Sequence, residues 1–181
     1  MIFRVSLRNQ FKALEFAFFL LLFTLGCIIF FRYTDPFFYL EILIWLCMLQ
    51  LIPVLYLHLE YLSLNGKCSL KLDCNQSILT YANNREVINL SFNNIVHIVS
   101  YLPPSAYRGP IERKMHFLPI ESYGYAIIYS KEGERIIVTS LMVPDMNKEL
   151  EKVSNIPIER KKRLFASPSV ERIVQWFNRD Q

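Results

Sequence analysis

The chain has 181 residues, a formal net charge of +4, and 52% hydrophobic residues of which Phe is unusually common. So modest a positive charge, much of it beside apolar runs and in the tail, argues against a nucleic-acid partner. Five glycines in all leave little material for a glycine-rich nucleotide loop, and the length suggests one soluble domain plus something extra.

The extra part comes first. Phe16 to Phe31 (FAFFLLLFTLGCIIFF) carries no charge, and neither does Ile42 to Leu57 (ILIWLCMLQLIPVLYL). A helix that crosses a bilayer needs about 20 predominantly apolar residues. With their flanks the two runs give spans of about 13–31 and 37–58, in a helical hairpin covering 1–62. Glu15 and Glu41 then fall near helix ends, where the headgroup region tolerates charge. The interruption Arg32-Tyr33-Thr34-Asp35-Pro36 is expected to be the turn, because lipid offers no partner for loose backbone groups. Pro36 suits a first helical turn and Asp35 an N-cap. Tyr33 and Tyr39 suit an interfacial belt.

Two other readings compete. A signal peptide ending near Gly26-Cys27 conflicts with the apolar stretch that continues past Cys27 and the second run that follows at once. Two core helices of a soluble protein would be hard to surround with the remaining chain. Gln50 is the one polar side chain near the middle of the second run, and Pro53 is a candidate kink.

Arg4, Arg8 and Lys12 precede the first run and Lys67 and Lys71 follow the second, whereas Arg32 alone lies in the turn. The positive-inside rule puts both termini in the cytoplasm. The expected location is the inner (plasma) membrane, multi-pass. Cys68 and Cys74 then face a reducing compartment, where a structural disulfide is not expected.

From about residue 63 the composition becomes ordinary. Cys68 to Cys74 alternates as a half-buried strand does, and further strands are expected at 78–82, 87–92, 95–102, 117–120, 123–130 and 135–140. Turns at Asn75-Gln76-Ser77, Asn83-Asn84 and Lys131 to Glu134 separate some of them. Residues 103–116, opened by Pro103-Pro104, have no periodicity and are expected to be an exposed loop. After Pro144 the period changes, with Met146, Leu150 and Val153 at helical spacing. Short turns make the strands antiparallel.

The segments INLSFNNIVHI and GYAIIYSKEGERIIVTS, followed by the helix at MNKELEKV, resemble bacterial pleckstrin-homology-like (PH-like) domains, which often follow a two-span hairpin. The resemblance covers about residues 61–155. It implies a membrane α-hairpin plus a mainly-β PH-like domain (63–155), with about seven antiparallel strands in two small sheets closed by a C-terminal helix. It implies no reaction. Eukaryotic PH domains that bind phosphoinositides use bases around the turn between the first two strands; Asn75-Gln76-Ser77 stands there in this reading, so that ligand is not carried over.

Residues 156–181 are expected to be a basic linker and an amphipathic helix. Arg160, Lys161, Lys162 and Arg163 form the basic cluster. Val170, Ile173, Val174 and Phe177 follow at helical spacing beside Trp176. Held near the bilayer, the cluster would be drawn to anionic lipid, with Trp176 and Phe177 dipping into the headgroups; bases solvated on a packed tail are the equal alternative. Arg108, Arg113 and Lys114 are a weaker lipid or partner candidate.

No HExxH, CxxC pair or GxSxG occurs, and His58, His97 and His116 are scattered. Cys68 and Cys74 would be about 20 Å apart on one strand, too far to share a metal. No catalytic residue, cofactor or metal is expected. The expected function is a non-enzymatic membrane-anchored binding module for a protein partner, the lipid surface or a second copy. The alternative is an accessory subunit of a larger membrane complex.

Overall fold

The computed structural model describes residues 1–31, 37–104, 118–152 and 156–170, with the backbone alone at 31, 37–40, 42 and 147. In chain order the elements are β1 (Ile2–Arg4), α1 (Leu7–Phe31), α2 (Phe37–Asn65), β2 (Ser69–Asp73), β3 (Ile78–Ala82), β4 (Val87–Ser91), β5 (Ile95–Leu102), β6 (Tyr125–Ser130), β7 (Arg135–Thr139), α3 (Met146–Glu151) and β8 (Ile158–Lys162). They form two four-stranded sheets, ordered β1-β2-β3-β4 and β7-β6-β5-β8.

Both apolar runs are helices, and both are long and apolar enough to cross a membrane. Only 17% and 22% of their most apolar windows is buried. The core helix of a soluble protein would be mostly covered, so the low figures separate these helices from that case. The expected turn at 32–36 lies outside the described residues.

The hairpin does not simply precede the β domain. β1 pairs antiparallel with β2, Phe3 opposite Leu70, so both helices are inserted between two neighbouring strands of one sheet. A division at 62/63 therefore does not separate the sheets from the hairpin. α2 also runs past the expected end at 58, to Asn65. Gly66 stops it: its N–H bonds the Leu62 carbonyl at 2.7 Å, and a Cβ there would lie 2.4 Å from the same oxygen.

Three further expectations are corrected. Residues 158–162 are not linker but β8, which pairs in parallel with β5, Ile98 opposite Ile158 and Leu102 opposite Lys162. Among the described residues the sheets hold eight strands rather than about seven, and not all are antiparallel. The strand expected at 117–120 is replaced by a 3₁₀ turn at Pro119–Ser122, opened by Pro119, whose ring fixes φ and removes a ladder donor; Phe117 lies outside the described residues. The turn before β7 forms as expected, with Gly133 at φ +85°.

The second sheet separates two apolar cores. Ile98, Ala126, Ile128, Ile136 and Val138 point to one face and join Leu70, Leu72, Leu79 and Leu90 of the first sheet. Met146 and Leu150 of α3 close that core. The neighbouring residues Val99, Tyr101, Tyr125 and Ile127 point to the opposite face. There they meet Ala13 and Ala17 of α1 and Val54, Leu57 and Tyr61 of α2. The period-2 alternation of a strand thus gives each core its own set of side chains.

Candidate functional site

The region where the hairpin joins the sheets carries the most buried polar chemistry. His58, Tyr61 and Asn65 lie at i, i+3 and i+7, on one face of α2, and all three are buried. Asn65 is fully enclosed; its Nδ2 donates to the Ile137 carbonyl at 3.0 Å, and its Oδ1 accepts the Thr139 N–H at 2.9 Å. One side-chain amide thereby occupies a donor and an acceptor on β7, a strand at the end of its sheet. Burying that amide is tolerable because these bonds are made. The His58 Nδ1 lies 3.0 Å from the Tyr123 hydroxyl, and the Tyr61 and Tyr123 rings meet edge to face at 5.5 Å. Burial pushes the Tyr123 hydroxyl well above its ordinary pKa.

A strap from the chain's C-terminal part completes the joint. β8 follows β5 toward the hairpin, and the Arg163 N–H continues the ladder to the Leu102 carbonyl at 2.8 Å. The chain then bends over α2. Phe165 stacks on Tyr56 at 5.9 Å, and the Tyr61 hydroxyl donates to the Ala166 carbonyl at 2.6 Å. Helical backbone begins at 168. There the Glu60 carboxylate accepts the Ser169 N–H at 2.7 Å and Ser167 Oγ accepts the Val170 N–H at 3.3 Å. Orphan amides of a first helical turn are satisfied by such acceptors.

The basic cluster is divided by this geometry. Arg160 pairs with Glu151, and Lys161 pairs with Glu159 and lies over the Tyr101 ring. Lys162 and Arg163 are exposed at the end of β8 nearest α2, followed by exposed Leu164. Arg108, Arg113, Lys114, Trp176 and Phe177 lie outside the described residues. Sequence reasoning missed Asn65, Tyr61, Glu60 and Tyr123. The available signal was the His58, Tyr61, Asn65 spacing, a polar face on an otherwise greasy helix.

A cleft of about 280 Å³ opens beside the joint, lined by Asn9, Lys12 and Glu15 of α1 and by Glu121, Ser140 and Asp145, among others. Two of its polar side chains serve the fold: Asn9 Nδ2 donates to the Leu141 carbonyl, and Ser140 Oγ donates to the Ser122 carbonyl and accepts the Gly124 N–H. Ser140 has no imidazole partner among the described residues. His97 stacks on Tyr129 at 4.4 Å. Among the described residues no three His, Cys, Asp or Glu side chains converge on a metal position. Cys68 donates to the Leu64 carbonyl and accepts the Tyr81 hydroxyl at 3.1 Å. Cys74 is exposed, one residue beyond the end of β2 at Asp73.

The connection between the first two strands is the hairpin itself, not Asn75 to Ser77, which joins β2 to β3. A PH domain family model matches residues 2–149, a span that takes in β1, both helices, β2 to β7 and most of α3. PH-like domains are generally non-catalytic binding modules. No curated protein and no solved structure matches the chain. With its two sheets, its closing helix and a match over most of its length, the chain belongs to the PH domain family.

Proposed function

We propose that the protein is a non-enzymatic binding module fixed to the inner face of the plasma membrane by its helical hairpin, recognising the membrane surface or a protein partner. The observation that carries this reading is the combination of exposure and attachment in α2. Ile44, Trp45, Leu49, Ile52 and Leu55 are exposed, whereas Leu57, Tyr61 and Asn65 are fully enclosed by the β domain. Leaving so much apolar surface in water would be strongly unfavourable, at roughly 25 cal/mol per Å². Hydrocarbon removes that cost, and the buried end of α2 then holds the domain against the bilayer. The basic residues on both flanks support a cytoplasmic side for the domain, by the positive-inside rule. Candidate contacts are Arg160, Lys161, Lys162, Arg163, Trp176 and Phe177, with Arg108, Arg113 and Lys114 second.

Alkaline carbonate extraction of membranes tests the anchor. The chain should remain with the lipid pellet; its release into the supernatant would refute an integral hairpin.

One observation favours a second reading, an accessory subunit of a larger membrane complex. Gln50 is half-buried in the middle of α2 and has no hydrogen-bond partner among the described residues. A polar side chain at that depth gains from a partner helix, by about 0.6 kcal/mol on average. Purification in mild detergent decides between them: a stoichiometric companion lost on Gln50→Leu supports the subunit, and a chain that always runs alone removes it.

A further inference from the structure

We propose that the hairpin fits a bilayer thinner than the usual one, with a hydrocarbon layer of about 24 Å, and that the β domain holds it to that length by gripping both helices at the inner boundary. This rests on the membrane reading above and adds which membrane the hairpin suits.

Two measures of length agree. The uncharged run of α1, Phe16 to Phe31, has 16 residues and rises about 24 Å. Glu15 ends it and is exposed. Its side chain lacks the long stem by which a Lys or Arg reaches back to the headgroups. The second measure is the length left above the β domain. Ala17 of α1 and Val54 of α2 are the outermost buried residues that the helices give to the core shared with the second sheet. Beyond them α1 continues from residue 18 to Phe31 and α2 from Phe37 to residue 53. Those stretches rise about 21 Å and about 25 Å. An ordinary hydrocarbon layer is about 30 Å thick. All three lengths fall short of it, and tilting the helices would shorten them further.

The inner boundary is marked at one level on both helices. Glu15 lies two residues inward of Ala17, and Tyr56 two residues inward of Val54, about 3 Å in each case. Tyr56 is 46% exposed and stacks on Phe165 of the strap. A tyrosine suits such a level, with its ring on the apolar side and its hydroxyl on the wet side. Above it the outward faces are apolar. Phe18, Leu22, Leu25 and Ile29 of α1 and Trp45, Met48 and Ile52 of α2 are all half exposed or more.

The grip keeps the helices from sliding outward to gain length. Asn9 holds the Leu141 carbonyl, His58 the Tyr123 hydroxyl, and Asn65 two backbone groups of β7. A slide of one helical turn would break all of these bonds and leave buried polar groups without partners. The bilayer is the softer body, and a short apolar stretch is met by thinning it at small cost per Å. The chain therefore collects where the bilayer is already thin.

The test uses the full chain carrying Trp176→Phe, which leaves Trp45 as the one tryptophan. It is reconstituted in phosphatidylcholine with monounsaturated chains of fourteen, eighteen or twenty-two carbons. Each lipid competes with a brominated eighteen-carbon phosphatidylcholine. Trp45 is 77% exposed on α2, so bromine on a contacting chain quenches it, and recovery of its fluorescence gives the relative affinity of each lipid. The fourteen-carbon lipid should bind about threefold more tightly than the twenty-two-carbon lipid, with the eighteen-carbon lipid between. Glu15→Leu extends the uncharged run to Ala13 and should move the preference toward eighteen carbons, whereas Glu15→Asp should leave it in place. Equal affinity for all three lipids, a best fit at eighteen or twenty-two carbons, or a preference that Glu15→Leu does not move would overturn the proposal. So would Trp45 that no brominated lipid quenches, because another protein surface would then cover α2. A chain that resists carbonate but shows no chain-length preference keeps the anchor and loses only this inference.

Discussion

The two sheets are alike in strand number and unlike in surroundings. The β1–β4 sheet covers one face only. In β2 buried Leu70 and Leu72 flank exposed Lys71, and β4 leaves Val87 and Asn89 exposed. The β5–β8 sheet is covered on both faces in its middle strands, and every residue of β6 but Tyr129 is buried. The difference follows from where the hairpin sits. Its foot covers the second sheet and leaves the outer face of the first to water. One sheet is the mount, and the other keeps an exposed, largely polar face among the described residues.

Breaking the mount should cost most. Ile128→Ala, between the sheets, removes a fully buried side chain and should lower stability by about 2–5 kcal/mol, read as thermal unfolding of the full chain in mild detergent. Asn65→Ala leaves the Ile137 carbonyl and Thr139 N–H without their partners in a closed site, a cost of about 1–3 kcal/mol for each unsatisfied group. Asn65→Asp should behave nearly as badly, because a carboxylate cannot donate to Ile137. Stability equal to the unaltered protein in either variant would show that the joint is not held by this amide.

Alkaline titration probes both sheets at once. Burial, then the hydrogen bond with Cys68, raises the Tyr81 hydroxyl on the first sheet. Burial raises Tyr123 at the joint. Both groups prefer the protonated form when folded. Their contribution is therefore complete below the unfolded tyrosine pKa of about 10 and is lost as pH rises above it. Thermal unfolding followed from pH 8 to 12 should be flat with respect to these groups at first and then fall. Tyr123→Phe should blunt the fall.

Smaller effects sharpen the contrast. Tyr61→Phe deletes only the bond to Ala166, worth about 1 kcal/mol. Hydrogen exchange should quicken in 158–169 and stay unchanged in β2 to β4. On the open face, Thr80 and Asn89 share a hydrogen bond exposed to solvent. Asn89→Ala should shift stability by no more than about 0.5 kcal/mol. A loss as large as that of Asn65→Ala would mean that the first sheet is covered by something.

Legibility in the sequence followed the length and contrast of each pattern. The two helices were plain because the uncharged runs around Phe16 to Phe31 and Ile42 to Leu57 are far longer than any strand. β2 was plain because SLKLD alternates. β1 was not, since Ile2, Phe3 and Arg4 are too few to show a period, and its partner Leu70 lies beyond the whole hairpin. β8 was hidden because IERKK carries one apolar residue and four charges. Its strand state comes from pairing with β5, a tertiary effect that composition cannot report. The joint was half legible. His58, Tyr61 and Asn65 mark a polar face on α2, but which strand or turn each would meet depends on the fold.

Cys74 gives the most direct test of the central claim, that the β domain hangs on the cytoplasmic side of a bilayer crossed by α1 and α2. Its thiol is exposed beyond β2, whereas Cys47 is buried and Cys27 and Cys68 are half-buried. A membrane-impermeant maleimide applied to intact cells should leave Cys74 unlabelled, and the same reagent applied after lysis should label it. Labelling of Cys74 before lysis would contradict the topology on which the account is built.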